Sequence, residues 1–165
     1  MRRPWILGLL ALAVIGLAYT AAQVSCAAPQ KAQPGPAVKL LTGKSVTVAD
    51  FKGHPLVLNF WATWCPPCRM EVPQLQKVYD DNRAKKTTVQ FLAVALDYPD
   101  AVKKFVRDQK ITFPVALDEH GALGDKYRVD GIPTTYFFDS KGAVAGKFVG
   151  ARAYSDFQAA IKRLK

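Results

Sequence analysis

Two cysteines three residues apart, Cys65 and Cys68, are the residues of this chain best suited to chemistry. The only other cysteine is Cys26. A scaffold built from disulfides needs more cysteines in a shorter chain. A structural zinc site needs four ligands, and one C-x-x-C with only His54 and His120 elsewhere supplies them poorly. What remains is redox chemistry, in which the pair cycles between dithiol and disulfide.

The flanking residues state how such a pair would be held. The apolar run Leu56-Val57-Leu58-Asn59-Phe60 reads as a strand covered on both faces, and Cys65 follows soon after it. Val72, Leu75, Val78 and Tyr79 then recur at helical spacing, so both sulfurs fall at one helix N-terminus. Cys65, at the cap, is expected to be the exposed nucleophile, its thiolate favoured by the helix dipole. Cys68 is one turn deeper and is expected to resolve the mixed disulfide. Pro66 and Pro67 suit a first helical turn but carry no N–H. Among nearby amides, only those from Cys68 onward can therefore stabilise the Cys65 thiolate, which predicts a comparatively reducing dithiol.

Other elements surround this unit. Val38 and Leu40, a break at Thr42-Gly43-Lys44, then Val46 and Val48 form a hairpin pattern. Val89 to Leu96 and Thr134 to Phe138 read as further buried strands, and Ala143 to Val149 as a weaker edge strand. Pro99 opens a helical stretch with Val102, Phe105 and Val106 on one side. Near the C-terminus, Ser155 and Gln158 resemble a capping box, ahead of a stripe at Phe157, Ala160, Ile161 and Leu164. Alternating strands and helices predict an α/β domain with a central mixed sheet.

The residues that carry chemistry also carry a resemblance. Leu56 to Met70, LVLNFWATWCPPCRM, resembles the active-site strand, turn and helix of the thioredoxins, in the exported TlpA/ResA-like branch. Pro73 matches the proline inside the active-site helix of these folds, and Gly131-Ile132-Pro133-Thr134 matches their second signature. The resemblance implies a thioredoxin fold with an N-terminal β-hairpin and a central strand–helix insertion, placed here at Asp97 to Gln109. It implies a cis bond before Pro133, close to the dithiol, with the Ile132 backbone pairing with an extended substrate. Trp64 is expected to wall the substrate groove with Pro66, Pro67, Ile132 and Pro133, while Trp61 supports the loop from beneath. Asn59 stands where thioredoxins keep a buried acid, and Asn cannot serve as a base. Glu71, three residues past Cys68 and on nearly the same helix face, matches the active-site glutamate of ResA-like reductases. A desolvated carboxylate there would have a raised pKa and could exchange a proton with a thiol.

The N-terminus reads as an export signal, with Arg2 and Arg3 before an apolar run from Trp5 to Tyr19. Residues 1–26 are a signal anchor or signal peptide: an uncleaved anchor, cleavage near Ala22 and lipid attachment at Cys26 all fit. Residues 27–36, rich in Pro, Ala and Gln, form a linker, and 37–165 form the thioredoxin-like domain. The expected location is extracytoplasmic, on the periplasmic side and anchored to the inner membrane.

The expected reaction is protein disulfide reduction, with no cofactor and no metal beyond the dithiol itself. Its partners would be a disulfide-bearing protein and a membrane thiol-reductant transporter as electron donor. By resemblance, substrates include apocytochrome c and copper-delivery proteins. A disulfide oxidant or isomerase is the alternative on the same fold. A metallochaperone using Cys65, Cys68 and His120 is disfavoured, since copper carriers of this fold space their cysteines more widely. A peroxidase is disfavoured because Thr63-Trp64-Cys65 lacks the residues expected before a peroxidatic cysteine. The net charge of +10 is spread over basic residues with no run of five, which argues against nucleic-acid binding.

Overall fold

A computed structural model describes residues 35–164. The N-terminal apolar run, Cys26 and most of the linker lie outside the described residues. Among the described residues no helix is long and apolar enough to cross a membrane.

Strand propensity and pattern assemble one seven-stranded sheet. Its strands are β1 (Val38–Leu40), β2 (Ser45–Val46), β3 (Leu56–Trp61), β4 (Gln90–Ala95), β5 (Val115–Leu117), β6 (Thr134–Phe138) and β7 (Val144–Val149). Their spatial order is β2-β1-β5-β4-β3-β6-β7, with β3, β4 and β5 parallel and the other pairings antiparallel. Among the described residues four α-helices accompany the sheet: α1 (Pro66–Ala84), α2 (Pro99–Asp108), α3 (Ala122–Lys126) and α4 (Tyr154–Ile161). This is the thioredoxin fold with the N-terminal hairpin formed by β1 and β2.

Because side chains alternate along a strand, β3 feeds two cores. Leu56, Leu58 and Phe60 pack with Leu92, Val94, Tyr136 and Phe138 on one face. Val57 and Trp61 pack on the other with Val72, Leu75 and Val78 of α1 and with Phe137 and Phe157. Asn59 lies between Val57 and Trp61 in that second stripe, so the alternation turns its amide toward α1. Register places Ala93 on one side of it and Thr135 on the other. The predicted stripe on α4 packs as expected, with Phe157, Ile161 and Leu164 buried.

Four local expectations are corrected. Val48 does not extend β2 but begins a short 3-10 turn, Val48–Phe51; the Asp50 carboxylate accepts from Thr47 N at 2.6 Å and turns the chain away. Between 97 and 109 there is a helix alone, and the strand of the insertion follows it as β5. Pro99 sets that helix start, while Asp97 is occupied elsewhere, as described below. The helix α3 has no counterpart in the sequence reading. The Ser155–Gln158 capping box is absent as well: α4 is capped at Ala153, whose N–H donates to Asp156 Oδ2 at 3.1 Å. Alanine offers no capping side chain, so the acid three residues on takes that amide.

Candidate active site

The site is built where β3 runs into α1. Cys65 is the N-cap of α1, and its Sγ accepts from Cys68 N at 3.3 Å. Pro66 and Pro67 fill the first helical positions, so their missing N–H groups leave that amide, among the described residues, as the one backbone donor within hydrogen-bond distance of Sγ. Cys65 and Cys68 are joined as a disulfide, with Cα atoms 5.3 Å apart. The Ile132–Pro133 bond is cis, and the Ile132 carbonyl oxygen lies 3.6 Å from Cys65 Sγ.

The expected exposure of Cys65 is corrected. In the disulfide form Cys65 is 3% exposed, hardly more than Cys68 at 0%. The Ile132–Pro133 segment lies against its sulfur, so the difference between the two cysteines rests on position at the helix start rather than on open surface. The exposed residue of this loop is Trp64, at 66%. Trp61 is fully buried and packs against Phe105 of α2, ring centroids 5.2 Å apart, which fits support from beneath.

Glu71 is drawn into the interior. Helical spacing places it one turn beyond Cys68, in line with Leu75, and only 2% of it is exposed. Its Oε1 accepts from Asn59 Nδ2 at 2.8 Å and its Oε2 from the Arg152 main-chain N–H at 2.9 Å. The same Asn59 nitrogen donates to Thr135 Oγ1, also at 2.8 Å. Burial pushes the Glu71 carboxyl up to about 7, and the donors from Arg152 and Asn59 only partly offset that loss of water. A group titrating there is poised to take and return a proton near neutral pH.

The approach of Arg152 depends on the turn after β7. Gly150 adopts φ +82°, a conformation that favours glycine, and its N–H donates to Pro133 O at 2.8 Å. The same short loop therefore reaches from the cis-proline segment to the Glu71 carboxylate.

A second anchor holds the loop before the cysteines. Asp97, buried at the end of β4, accepts from Thr63 N at 2.9 Å and from Thr63 Oγ1 at 2.5 Å. Its other oxygen accepts from Tyr98 N at 2.7 Å. Sequence reasoning did not single out Asp97, Thr63, Thr135 or Arg152 for the site. An acid directly after the apolar run 89–96 is a usable signal for Asp97. Nothing local marks Thr135 or Arg152, which arrive through register and through a loop some eighty residues along the chain.

The sequence model of the AhpC/TSA family matches residues 25–147. The chain is 35% identical over 135 residues to the thiol-disulfide oxidoreductase ResA of Bacillus thuringiensis subsp. konkukian, covering 81% of this chain and 77% of that protein. The chain belongs to the ResA-like thiol-disulfide oxidoreductases of the AhpC/TSA family. Among solved structures similar to it is StoA from Bacillus subtilis, with TM-score 0.68, 30% identity and coverage of 79% of this chain and 98% of that one. Another is the thiol:disulfide interchange protein, a thioredoxin family protein, from Chlorobium tepidum TLS, with TM-score 0.68 and 32% identity over 82% and 96% of the two chains. In this ResA-like chain Cys65 and Cys68 form the redox-active Cys-x-x-Cys pair, joined here as a disulfide. Among the described residues there is no group of three or more His, Cys, Asp or Glu side chains that could hold a metal ion.

Proposed function

We propose that this oxidoreductase works in the reducing direction, on disulfides of proteins outside the cytoplasm, such as haem-binding or copper-site cysteines. The observation that carries the direction is that, among the described residues, a single backbone amide, that of Cys68, is within reach of Cys65 Sγ. A thiolate with few donors is less stabilised, so the dithiol gives up its electrons more readily. Export is supported by Arg2, Arg3 and the apolar run behind them. Electrons would come from a membrane thiol-reductant transporter, with the dithiol as the whole redox group and no cofactor.

In the reaction, the Cys65 thiolate attacks one sulfur of the substrate disulfide and releases the other as a thiolate. Cys68 then loses its proton to Glu71 and attacks Cys65 Sγ. This frees the second substrate sulfur, which takes up a proton, and leaves the Cys65–Cys68 disulfide. Trp64, Pro66, Pro67, Ile132 and Pro133 would line the substrate's path. Support for this comes from their placement around the disulfide, with Trp64 outward and Ile132 O beside Sγ.

The deciding measurement is the reduction potential of the Cys65–Cys68 couple. A value close to the roughly −270 mV of thioredoxin fits reduction, whereas one near the roughly −120 mV of DsbA would make the chain an oxidant. Trapping with Cys68→Ser in the native host then identifies the substrate, because the mixed disulfide on Cys65 cannot resolve.

A further inference from the structure

Asn59 is a costly residue for its position. It is 1% exposed, in the middle of a central strand, between Val57 and Trp61 on a face that is otherwise apolar. Packing alone would be served by valine or leucine. Its amide nitrogen has two partners, Glu71 Oε1 and Thr135 Oγ1, both at 2.8 Å. Its oxygen, Oδ1, is buried with no hydrogen-bond partner among the described residues.

The surroundings of Glu71 explain why an amide, and not another donor, is useful there. As arranged, both carboxylate oxygens accept: one from Arg152 N, the other from Asn59 Nδ2. That suits the ionised form. A protonated carboxyl carries an O–H that needs an acceptor, and the Arg152 main-chain N–H cannot become one. An asparagine amide can. Half a turn about its terminal torsion exchanges nitrogen and oxygen with almost no movement of heavy atoms, and the NH2 group then takes the buried place where Oδ1 now has no partner, a cost that confines this arrangement to the protonated carboxyl. Oδ1 would then accept from the Glu71 hydroxyl. The second partner, the Thr135 hydroxyl, also serves as donor or acceptor, so it reverses with the amide.

We propose that Asn59 is a positioning residue for proton transfer, its reversible amide holding the Glu71 carboxyl in one place in both protonation states. The proposal rests on the reading of Glu71 as the proton carrier for Cys68. The charged group acting on Glu71 is Arg152 from the loop before α4, and Cys68 precedes it by one turn on α1. The two strands face it with Asn59 and Thr135, neither of which titrates. Because Asn59 stays neutral, it adds no second charge that would split the titration of the carboxyl, as an acid at that position would.

The test uses the full oxidised protein, in which neither thiol titrates. Glu71 is followed by its carboxyl carbon resonance and Asn59 by its side-chain amide signals, from pH 4 to 9. The two are expected to move with a common midpoint, and Glu71→Gln is expected to abolish the movement at Asn59. Asn59 signals that stay fixed through the Glu71 midpoint would overturn the proposal. Asn59→Leu removes a hydrogen bond in both states, but the one to the ionised carboxylate is the stronger, so the Glu71 midpoint should rise by about one pH unit, a tenfold change in proton affinity. Should Asn59→Leu not fold, Asn59→Asp keeps the shape and is expected to split the carboxyl titration into two separated steps; a single unshifted step would count against the proposal. In the reduced enzyme, Asn59→Leu should move the acid limb of the pH–kcat profile upward with KM little changed. An unmoved limb in Asn59→Leu, with a clear effect of Glu71→Gln, defeats the role of Asn59 alone. No effect of Glu71→Gln on that profile defeats the underlying reading of Glu71.

Discussion

Replacing Glu71 by glutamine should change how the stability of the oxidised protein depends on pH. The Glu71 carboxyl has a folded-state pKa of about 7 against an ordinary value of 4.5. The raised value means that the folded state holds this proton more tightly than the unfolded chain does. Below pH 4.5 both states are protonated and the group contributes no pH dependence. Between pH 4.5 and 7 the unfolded chain ionises freely while the native carboxyl resists, so stability is lost as pH rises. Above about pH 7 the loss is complete. A separation of about 2.5 pH units at about 1.4 kcal/mol each corresponds to roughly 3 kcal/mol. Glutamine cannot ionise, so that slope should vanish in Glu71→Gln. The absolute stability at low pH is a separate matter, because the new NH2 group faces the donor of Arg152 or Asn59. Urea unfolding of both proteins, followed by circular dichroism from pH 4 to 8, gives the difference curve. Its expected shape is flat below about pH 4.5, rising in favour of the variant by roughly 3 kcal/mol, then flat again above about pH 8. Parallel curves for the two proteins would refute the argument, since a solvated helix-surface glutamate shows no such difference.

Three further outcomes are expected. In the reduced protein, iodoacetamide should alkylate Cys65 well before Cys68, because Cys65 caps α1, where the helix start favours its thiolate, and Cys68 sits one turn deeper; peptide mapping at short times checks this, and faster labelling at Cys68 would reverse the assignment. Asp97→Ala should lower stability by about 2 kcal/mol at pH 7, since three donors from Thr63 and Tyr98 lose one buried acceptor; the urea midpoint should fall with an unchanged m-value. Phe157→Ala should cost about 3–5 kcal/mol by opening a cavity between α4 and the Phe137–Phe148 pair, measured in the same way; a loss below about 1 kcal/mol would mean that α4 is not part of the core.

Local signals in this chain were strong wherever one element decides its own form. The apolar run 56–60 reads as a covered strand, and α1 carries its apolar period openly in Val72, Leu75 and Val78. The Cys-Pro-Pro-Cys spacing by itself places the redox pair at a helix start. Weak signals failed for equally local reasons. Val115–Leu117 is three residues long, too short to show a period, and α3 spans less than two turns. Asp156 displaced the expected Ser155–Gln158 cap because the cap position itself falls on Ala153.

Sequence alone determined that this is a dithiol chemistry on an α/β frame, and it marked Glu71 as a carboxyl near the thiols through helical spacing. The tertiary structure decided what that carboxyl is. Its burial, and hence its pKa near 7, comes from β3 beneath it, and its donors come from Asn59 and from the Arg152 main chain. Neither helix periodicity nor residue type can state such a meeting, because it requires that strands β3 and β6 lie in one register and that the turn at Gly150 brings a distant loop back. The same is true of Cys65. Its place at the helix cap is a property of the sequence, but its covering by Ile132, sixty-seven residues away, is a property of the fold.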